Sequence, residues 1–100
     1  MDSNELSIVI VTFKSEKKIF TCLKSIPANL RVIVVENSDN NSFKKKIEDS
    51  FSNVECFLTG SNKGYAAANN LGLSKLKTKF ALLLNPDTEL DKNAIKYFNL

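Results

Sequence analysis

Polar residues follow each of four apolar segments in this sequence, and their types are suited to binding a charged ligand. In chain order they are a threonine, a glutamate, a glycine at the end of a polar loop and an aspartate after a proline: Thr12, Glu36, Gly64 and Asp87. Each also has an ordinary structural interpretation, as a strand-end hydrogen bond, a turn, a helix start or a solvated acid. Four such clusters after four successive apolar segments favour a binding site.

Each cluster offers a definite chemistry. A side chain such as Glu36 accepts hydrogen bonds from ribose hydroxyls or from a base N–H. Gly64 lets the backbone approach a ligand closely, and a helix that begins after it presents free N–H groups to an anion. Asp87 follows Pro86, and a carboxylate on a stiff turn suits a hard divalent cation that bridges phosphates. Asn85 adds an amide, so diphosphate and water must complete the ligand set.

Alternating strand and helix segments should bring these clusters together. Short apolar segments rich in β-branched residues predict buried parallel strands over 7–12, 31–35, 54–58 and 80–84. Helical spacing predicts helices that begin at Ser15, Ser42 and Tyr65, and a last one capped by Asp91. The predicted fold is α/β, an open and mostly parallel sheet with helices on both faces, in one domain over residues 1–100. Ligands of such sheets bind beyond the carboxyl ends of the strands.

The third predicted helix carries an amide among its inward-facing positions. Its spacing places Ala66, Asn69 or Asn70, Leu73 and Leu76 toward the sheet. A buried amide is costly unless it is hydrogen-bonded, so we expect it to hold a neighbouring loop.

Composition excludes several classes of site. The chain has no histidine, which excludes histidine acid–base catalysis and histidine-ligated zinc within it. Net charge is +3, and the lysines lie on predicted helix faces without interleaved aromatics, so we expect no nucleic-acid partner. Cys22 and Cys56 have no metal-ligand spacing, and buried free thiols fit a reducing compartment. No apolar segment approaches the roughly 20 residues that span a bilayer. We expect the cytoplasm, either free or at the periphery of a membrane.

Four segments resemble those of family 2 glycosyltransferases. Residues 7–14 (SIVIVTFK) are similar to the opening strand of the family, and residues 34–38 (VVENS) resemble its V-V-D-N-S motif. Residues 62–73 (NKGYAAANNLGL) resemble its N-x-G-[FY]-A-x-x-x-N-x-G segment, the most specific of the four. Residues 83–88 (LLNPDT) resemble the L-N-P-D form of the D-x-D motif in the rhamnosyltransferase-like branch. Order and spacing also fit, and the resemblance covers nearly the whole chain.

The resemblance implies a GT-A fold, of which this chain is the Rossmann-like, donor-binding half. It implies a nucleotide-diphosphate sugar as donor, with dTDP or UDP as nucleotide, a saccharide or lipid-linked acceptor, and Mg²⁺ or Mn²⁺ as cofactor. The metal ligand would be Asp87. The residues assigned to the nucleotide sugar are Thr12, Phe13, Glu36, Asn62, Gly64, Asn85 and Asp87.

The sequence departs from the family pattern in several places, among them Ala67 and Ala68, which occupy positions often held by Gly. Glu36 stands where Asp is usual, and Asn85 replaces the first acid of D-x-D. In this inverting family the general base is a later carboxylate, whereas only Glu89 and Asp91 follow Asp87 here. We therefore assign no catalytic residue, expect no sugar transfer by this chain alone, and expect self-association through an exposed sheet edge or apolar surface.

Two other hypotheses remain. A non-catalytic nucleotide-binding or interaction module would bind without a metal and would tolerate Asp87→Ala. An unrelated dinucleotide-binding fold is disfavoured, because no G-x-G-x-x-G follows the first strand and no G-K-[ST] occurs in the chain.

Overall fold

The structure is a computed structural model that describes residues 5–91, and it contains a parallel sheet between two layers of helices. The sheet order is β3-β2-β1-β4, with every neighbouring pair parallel. This confirms the predicted α/β fold. The elements are β1 (Leu6–Thr12), α1 (Glu16–Lys24), β2 (Arg31–Glu36), α2 (Asn41–Ser50), β3 (Val54–Leu58), α3 (Tyr65–Ser74) and β4 (Phe80–Leu84). The predicted helix after Asp91 lies outside the described residues.

The two faces of the sheet are covered by different helices, as predicted. Side chains alternate along β1, so Ile8 and Ile10 belong to one apolar cluster and Val9 and Val11 to the other. The first cluster includes buried residues of α1 and α2, and the second includes Ala68 of α3. Because β1 and β2 are buried on both faces, the polar residues at their ends are held on a rigid support.

Helix α3 lies very close to the sheet at Gly72. A Cβ at this position would be 2.7 Å from Val9 Cγ1 and 3.1 Å from Val35 Cγ2, so only glycine allows this separation. The buried residues of α3 are Ala68, Asn69 and Gly72. Small residues therefore face the sheet, and α3 ends at Ser74, before Leu76.

The predicted inward stripe of α3 was wrong in part. Asn69 and Leu76 face inward, but Ala66 is exposed and Leu73 is 38% exposed. The helix is turned so that its smallest residue, Gly72, lies at the contact. The prediction that an amide of this helix holds a loop was also wrong, because the Asn69 side chain makes no hydrogen bond within residues 5–91.

The helix starts also differ from the prediction. Asn40, not Ser42, caps α2, because its Oδ1 accepts a hydrogen bond from the Phe43 N–H at 3.1 Å. Ser42 lies inside the helix, and its hydroxyl donates to Asn40 Oδ1 at 2.8 Å. Ser15 does precede α1, but its hydroxyl donates to the Phe13 carbonyl instead of capping the helix.

No helix among residues 5–91 is both long and apolar enough to cross a membrane.

Candidate functional site

The sheet changes direction of growth between β1 and β4, and this fixes where a crevice opens. From β1 the chain adds β2 and β3 on one side, and α3 then carries it to β4 on the other. Ligands of open α/β sheets bind beyond the carboxyl ends of the strands at such a switch point. Thr12 ends β1, and Asn85 directly follows β4.

Thr12 and Glu36 form a buried pair at the ends of β1 and β2. They are partners in the strand register, and the Thr12 hydroxyl donates to Glu36 Oε1 at 2.8 Å. The Ser38 hydroxyl donates to the other carboxylate oxygen, Oε2. Thr12 is 1% exposed and Glu36 is 3% exposed. A carboxylate has about four acceptor positions, so two hydroxyl partners leave room for further donors from a ligand.

Glu36 lines a cleft of about 560 Å³, which is within the usual size of small-molecule sites. Phe13, which directly follows Thr12 in the sequence, has a side chain that is 43% exposed. The Lys14 ammonium lies 5.2 Å from the centre of the Phe13 ring. The other residues that line the cleft are Lys14, Ser15, Glu16, Ser38, Asp39, Asn40 and Phe43.

Asn37 lies next to this pair, and sequence reasoning missed its role. Its side-chain N–H groups donate to Asn62 Oδ1 and to the Gly64 carbonyl, both at 3.1 Å. Its Oδ1 accepts from the Thr59 hydroxyl at 2.8 Å and from the Lys63 N–H at 2.9 Å. The one signal in the sequence is its place in the VVENS segment, between Glu36 and Ser38.

Asn62 and Gly64 form the entrance to α3. The Asn62 Oδ1 accepts from the Gly64 N–H at 3.1 Å. Gly64 has φ 86° and ψ 164°, a conformation that other residues rarely adopt, and no side chain caps the helix there. The N–H groups of the first turn of α3 therefore lack side-chain partners and are suited to binding an anion.

Asn85 and Asp87 lie in a tight turn after β4. The Thr88 N–H donates to the Asn85 carbonyl at 3.0 Å, and the Asp87 N–H donates to Asn85 Oδ1 at 3.2 Å. The turn lies against α1, because the Cys22 thiol donates to the Asn85 carbonyl at 3.9 Å. Burial, with a contribution from the nearby Asp87 charge, raises the pKa of the Cys22 thiol to about 11.

Asp87 is exposed and lines a second cleft of about 480 Å³ with Lys17, Lys18, Thr21, Cys22, Thr88 and Glu89. No group of three or more His, Cys, Asp or Glu side chains within residues 5–91 could hold a metal ion without other ligands. One carboxylate is nevertheless enough for Mg²⁺ when substrate phosphates and water supply the other oxygens. Asp87 therefore fits a metal that binds together with a diphosphate.

The predicted site residues form two groups, one on each side of β1. Thr12 and Glu36 meet directly, and Asn37 joins them to Asn62 and Gly64. Asp87 lines a different cleft, and Asn85 belongs to the same turn as Asp87. A third cleft of about 600 Å³, lined by residues 13–18, shares residues with both. The beginning of α1 thus connects the two groups.

Known proteins resemble this chain over nearly all of its length. One is the "Low-salt glycan biosynthesis hexosyltransferase Agl10" of Haloferax volcanii, 33% identical over 97 residues that cover 93% of this chain and 31% of that protein. Another is a "Teichoic acid poly(glycerol phosphate) polymerase" of Staphylococcus epidermidis, 28% identical over 103 residues that cover 95% of this chain and 14% of that protein. The chain thus spans less than a third of either relative.

Solved structures agree in fold. The crystal structure of S. aureus TarS 1-349 has a TM-score of 0.80 at 21% identity, covering 95% of this chain and 31% of that one. A second TarS crystal structure has a TM-score of 0.76, with 19% of that chain covered. This likeness confirms the predicted Rossmann-like part of a GT-A fold. The model of the family described as "Glycosyl transferase family 2" matches residues 7–98, and the chain belongs to that family.

Proposed function

We propose that residues 1–100 form one domain that binds the nucleotide-diphosphate sugar donor of a glycosyltransferase, with a divalent metal at Asp87. The observation that carries this proposal is the buried Glu36 carboxylate at the carboxyl edge of the sheet. Two hydroxyl groups hold it, it lines a cleft of about 560 Å³, and it retains acceptor positions. A buried charge with unused acceptor positions at such an edge favours a ligand with several N–H or O–H donors.

Each predicted residue then has a role that matches its surroundings. Thr12 holds the Glu36 carboxylate, which accepts from ribose hydroxyls or a base N–H. Phe13 offers an exposed ring in the neighbouring cleft that residues 13–18 line. Gly64 and the first turn of α3 face the diphosphate with free N–H groups, while Asn62 fixes the glycine by accepting its N–H.

The proposed role of the metal is to stabilise the leaving group. Members of this family generally use a divalent metal, and Mg²⁺ or Mn²⁺ supplies positive charge that offsets the charge developing on a departing diphosphate. Asp87 would hold it through its carboxylate. Asn85 would keep the turn in place, since its Oδ1 accepts the Asp87 N–H.

The donor nucleotide is proposed to be dTDP or UDP, and the acceptor a saccharide or a lipid-linked saccharide. The names of the relatives, which refer to glycan and teichoic acid synthesis, support a role in making cell-wall or other polysaccharides. Location in the cytoplasm, free or at the periphery of a membrane, stays a prediction.

Transfer to an acceptor requires a base that we do not assign to any of these 100 residues. The acids after Asp87 are Glu89 and Asp91, both close to the proposed metal ligand. We therefore propose that the 100-residue polypeptide binds nucleotide without transferring sugar. Phe80 and Leu83, on the edge strand β4, are 47% and 48% exposed, which supports the proposed self-association of the isolated polypeptide.

Calorimetric titration tests the proposal. The chain is titrated with UDP and with dTDP, each with and without Mn²⁺, and we expect one of them to bind more tightly with the metal. Asp87→Ala should abolish the effect of Mn²⁺. Asp49→Ala is the matched control, because Asp49 is an exposed acid on α2 that pairs with Lys45, and it should keep the effect.

Two outcomes would count against the proposal. Binding that ignores Mn²⁺ and survives Asp87→Ala would favour a non-catalytic nucleotide-binding module. Absence of binding by the unaltered chain under all four conditions would overturn the assignment of a donor site to these residues.

A further inference from the structure

The loop between β3 and α3 has little rigidity of its own. Residues 59–64 (TGSNKG) contain two glycines, Gly60 and Gly64, both with positive φ. Two backbone hydrogen bonds hold its start, from the Thr59 N–H to the Glu36 carbonyl at 3.1 Å and from the Gly60 N–H to the Ser38 carbonyl at 3.0 Å. The second half of the loop, where the proposed ligand contacts lie, depends on other bonds.

Asn37 supplies four contacts to the loop, beside the bond from the Gly64 N–H to Asn62 Oδ1. Both of its side-chain N–H groups donate, and its Oδ1 accepts from the Lys63 N–H. The Thr59 hydroxyl lies 2.8 Å from the same Oδ1 and 2.6 Å from the Ser61 carbonyl, and its one proton can go to either. Asn37 is 3% exposed. Backbone groups fix the orientation of the amide. The Lys63 N–H can only donate and the Gly64 carbonyl can only accept, so oxygen and nitrogen cannot be exchanged.

The Gly64 carbonyl also belongs to α3. It accepts the first helical hydrogen bond, from the Ala68 N–H at 3.2 Å, in addition to the bond from Asn37. The Asn37 N–H, in turn, donates to the Thr12 carbonyl at 2.8 Å and extends the pairing of β1 with β2. One residue therefore connects the end of β1, the end of β2 and the beginning of α3.

We propose that Asn37 is a positioning residue for nucleotide binding, which fixes the first turn of α3 relative to the Glu36 carboxylate. This inference rests on the proposed function. A ligand that contacts both the carboxylate and the helix N–H groups binds tightly only if their separation is fixed beforehand. The start of the loop keeps its two backbone bonds without Asn37, so removal of the amide should loosen Asn62 to Gly64 selectively.

Asn37→Ala removes all four contacts and should raise the Kd for the nucleotide that the unaltered chain binds, by about tenfold or more. The matched control is Asn53→Ala. The Asn53 side chain likewise joins segments, donating to the Leu30 carbonyl at 2.9 Å, but at the opposite end of the sheet. It should lower stability without changing the Kd. Amide hydrogen exchange should become faster at Lys63 in Asn37→Ala and not in the control.

Asn37→Asp gives a second readout that a loss of stability alone would not produce. An ionised carboxyl cannot donate to the Gly64 carbonyl or to Asn62 Oδ1, whereas a neutral carboxyl can donate one such bond. These acceptors and the adjacent Glu36 favour the neutral form. The ratio of the Kd of this variant to that of the unaltered chain should fall from about pH 8 to about pH 5. The other charged residues near Asn37 in the sequence and in the loop, Asp39 and Lys63, are the same in both proteins.

The outcomes separate the two proposals. If the unaltered chain binds nucleotide and Asn37→Ala binds equally well, the positioning role is wrong and the donor site stands. If the unaltered chain does not bind, both fall. If Asn37→Ala does not fold, Asn37→Asp and Thr59→Val, which removes one donor to Asn37, decide the question. An unchanged Kd in both, with a ratio that does not vary with pH, would overturn the inference.

Discussion

Replacing Gly72 by alanine tests the packing that sets the position of α3. The added Cβ would lie 2.7 Å from Val9 Cγ1, whereas carbon atoms in contact prefer about 3.5–4.0 Å. Relief requires a movement of about 1 Å by the helix or by the valine. Val9 is 1% exposed, Val35 is fully buried, and both are β-branched, so neither can rotate away easily.

The expected loss of stability follows from two opposing effects. Overpacking of a core costs about 1–3 kcal/mol, and exchange of glycine for alanine in a helix returns up to about 1 kcal/mol. We therefore expect Gly72→Ala to lower the free energy of unfolding by about 1–2 kcal/mol. In a domain of this size each kcal/mol shifts Tm by about 4–8 °C, so Tm should fall by roughly 4–16 °C.

Thermal and urea unfolding measure this change, with Asn70→Ala as the control. Asn70 is an exposed position on the same helix, so its replacement should leave stability equal or slightly higher. In a Val9→Ala background, which removes the atom at 2.7 Å, Gly72→Ala should cost less than in the unaltered chain. A Gly72→Ala protein as stable as the unaltered one would refute the close contact between α3 and the sheet.

Two further predictions concern the stability contributed by the cap of α2 and by the buried thiols. Asn40→Ala removes the side-chain cap of α2 and should cost about 1 kcal/mol in urea unfolding, and Ser42→Ala should cost less, which would fail if Ser42 were the cap. Burial raises the pKa of Cys22 to about 11 and of Cys56 to about 12, from 9.0, so the unfolded thiols ionise first as pH rises. Their contribution to stability is complete below pH 9 and is lost through about pH 12, and Cys56→Ala should reduce this alkaline loss.

The strands were predictable because each is a short segment of apolar, mostly β-branched residues. Such a segment over 7–12 or 31–35 can be buried only between two layers, which predicts a parallel sheet covered on both faces. Parallel strands end at the same edge, so the meeting of Thr12 with Glu36 followed from the order of elements. The register adds only that the two residues are direct partners.

The contacts of α3 could not be predicted from helical spacing. That pattern assumes that large apolar residues face the sheet, which favours Leu73 over Gly72. Here α3 lies so close to Val9 and Val35 that only a residue without a side chain fits at the contact. The helix is therefore rotated so that Gly72, not Leu73, faces the sheet. The same limit applies to the cap of α2, since both Asn40 and Ser42 have suitable side chains and only the backbone decides between them.

The role of Asn37 depends on contacts between segments that are far apart in the chain. Its partners lie between Thr59 and Gly64, more than twenty residues later. In the sequence Asn37 is one polar residue in a polar loop, whereas the amides of α3 interrupt an apolar pattern. An amide inside a helix has few backbone groups within reach, whereas one at a strand end faces the unpaired groups of the next loop. Strand ends are therefore the better place to search for residues that organise a site.

The two acids of the proposed site differ in a way that matches their proposed ligands. Glu36 is buried, and both of its oxygens accept hydroxyl hydrogen bonds, so its position is fixed before a ligand arrives. A fixed carboxylate suits directional donors such as hydroxyl and N–H groups. Asp87 is exposed, and its carboxylate makes no hydrogen bond within residues 5–91. It can therefore adjust to a metal ion whose other ligands come with the diphosphate. Glu36 would be a poorer metal ligand than Asp87, because a cation there would compete with the Thr12 and Ser38 hydroxyls for the same carboxylate oxygens.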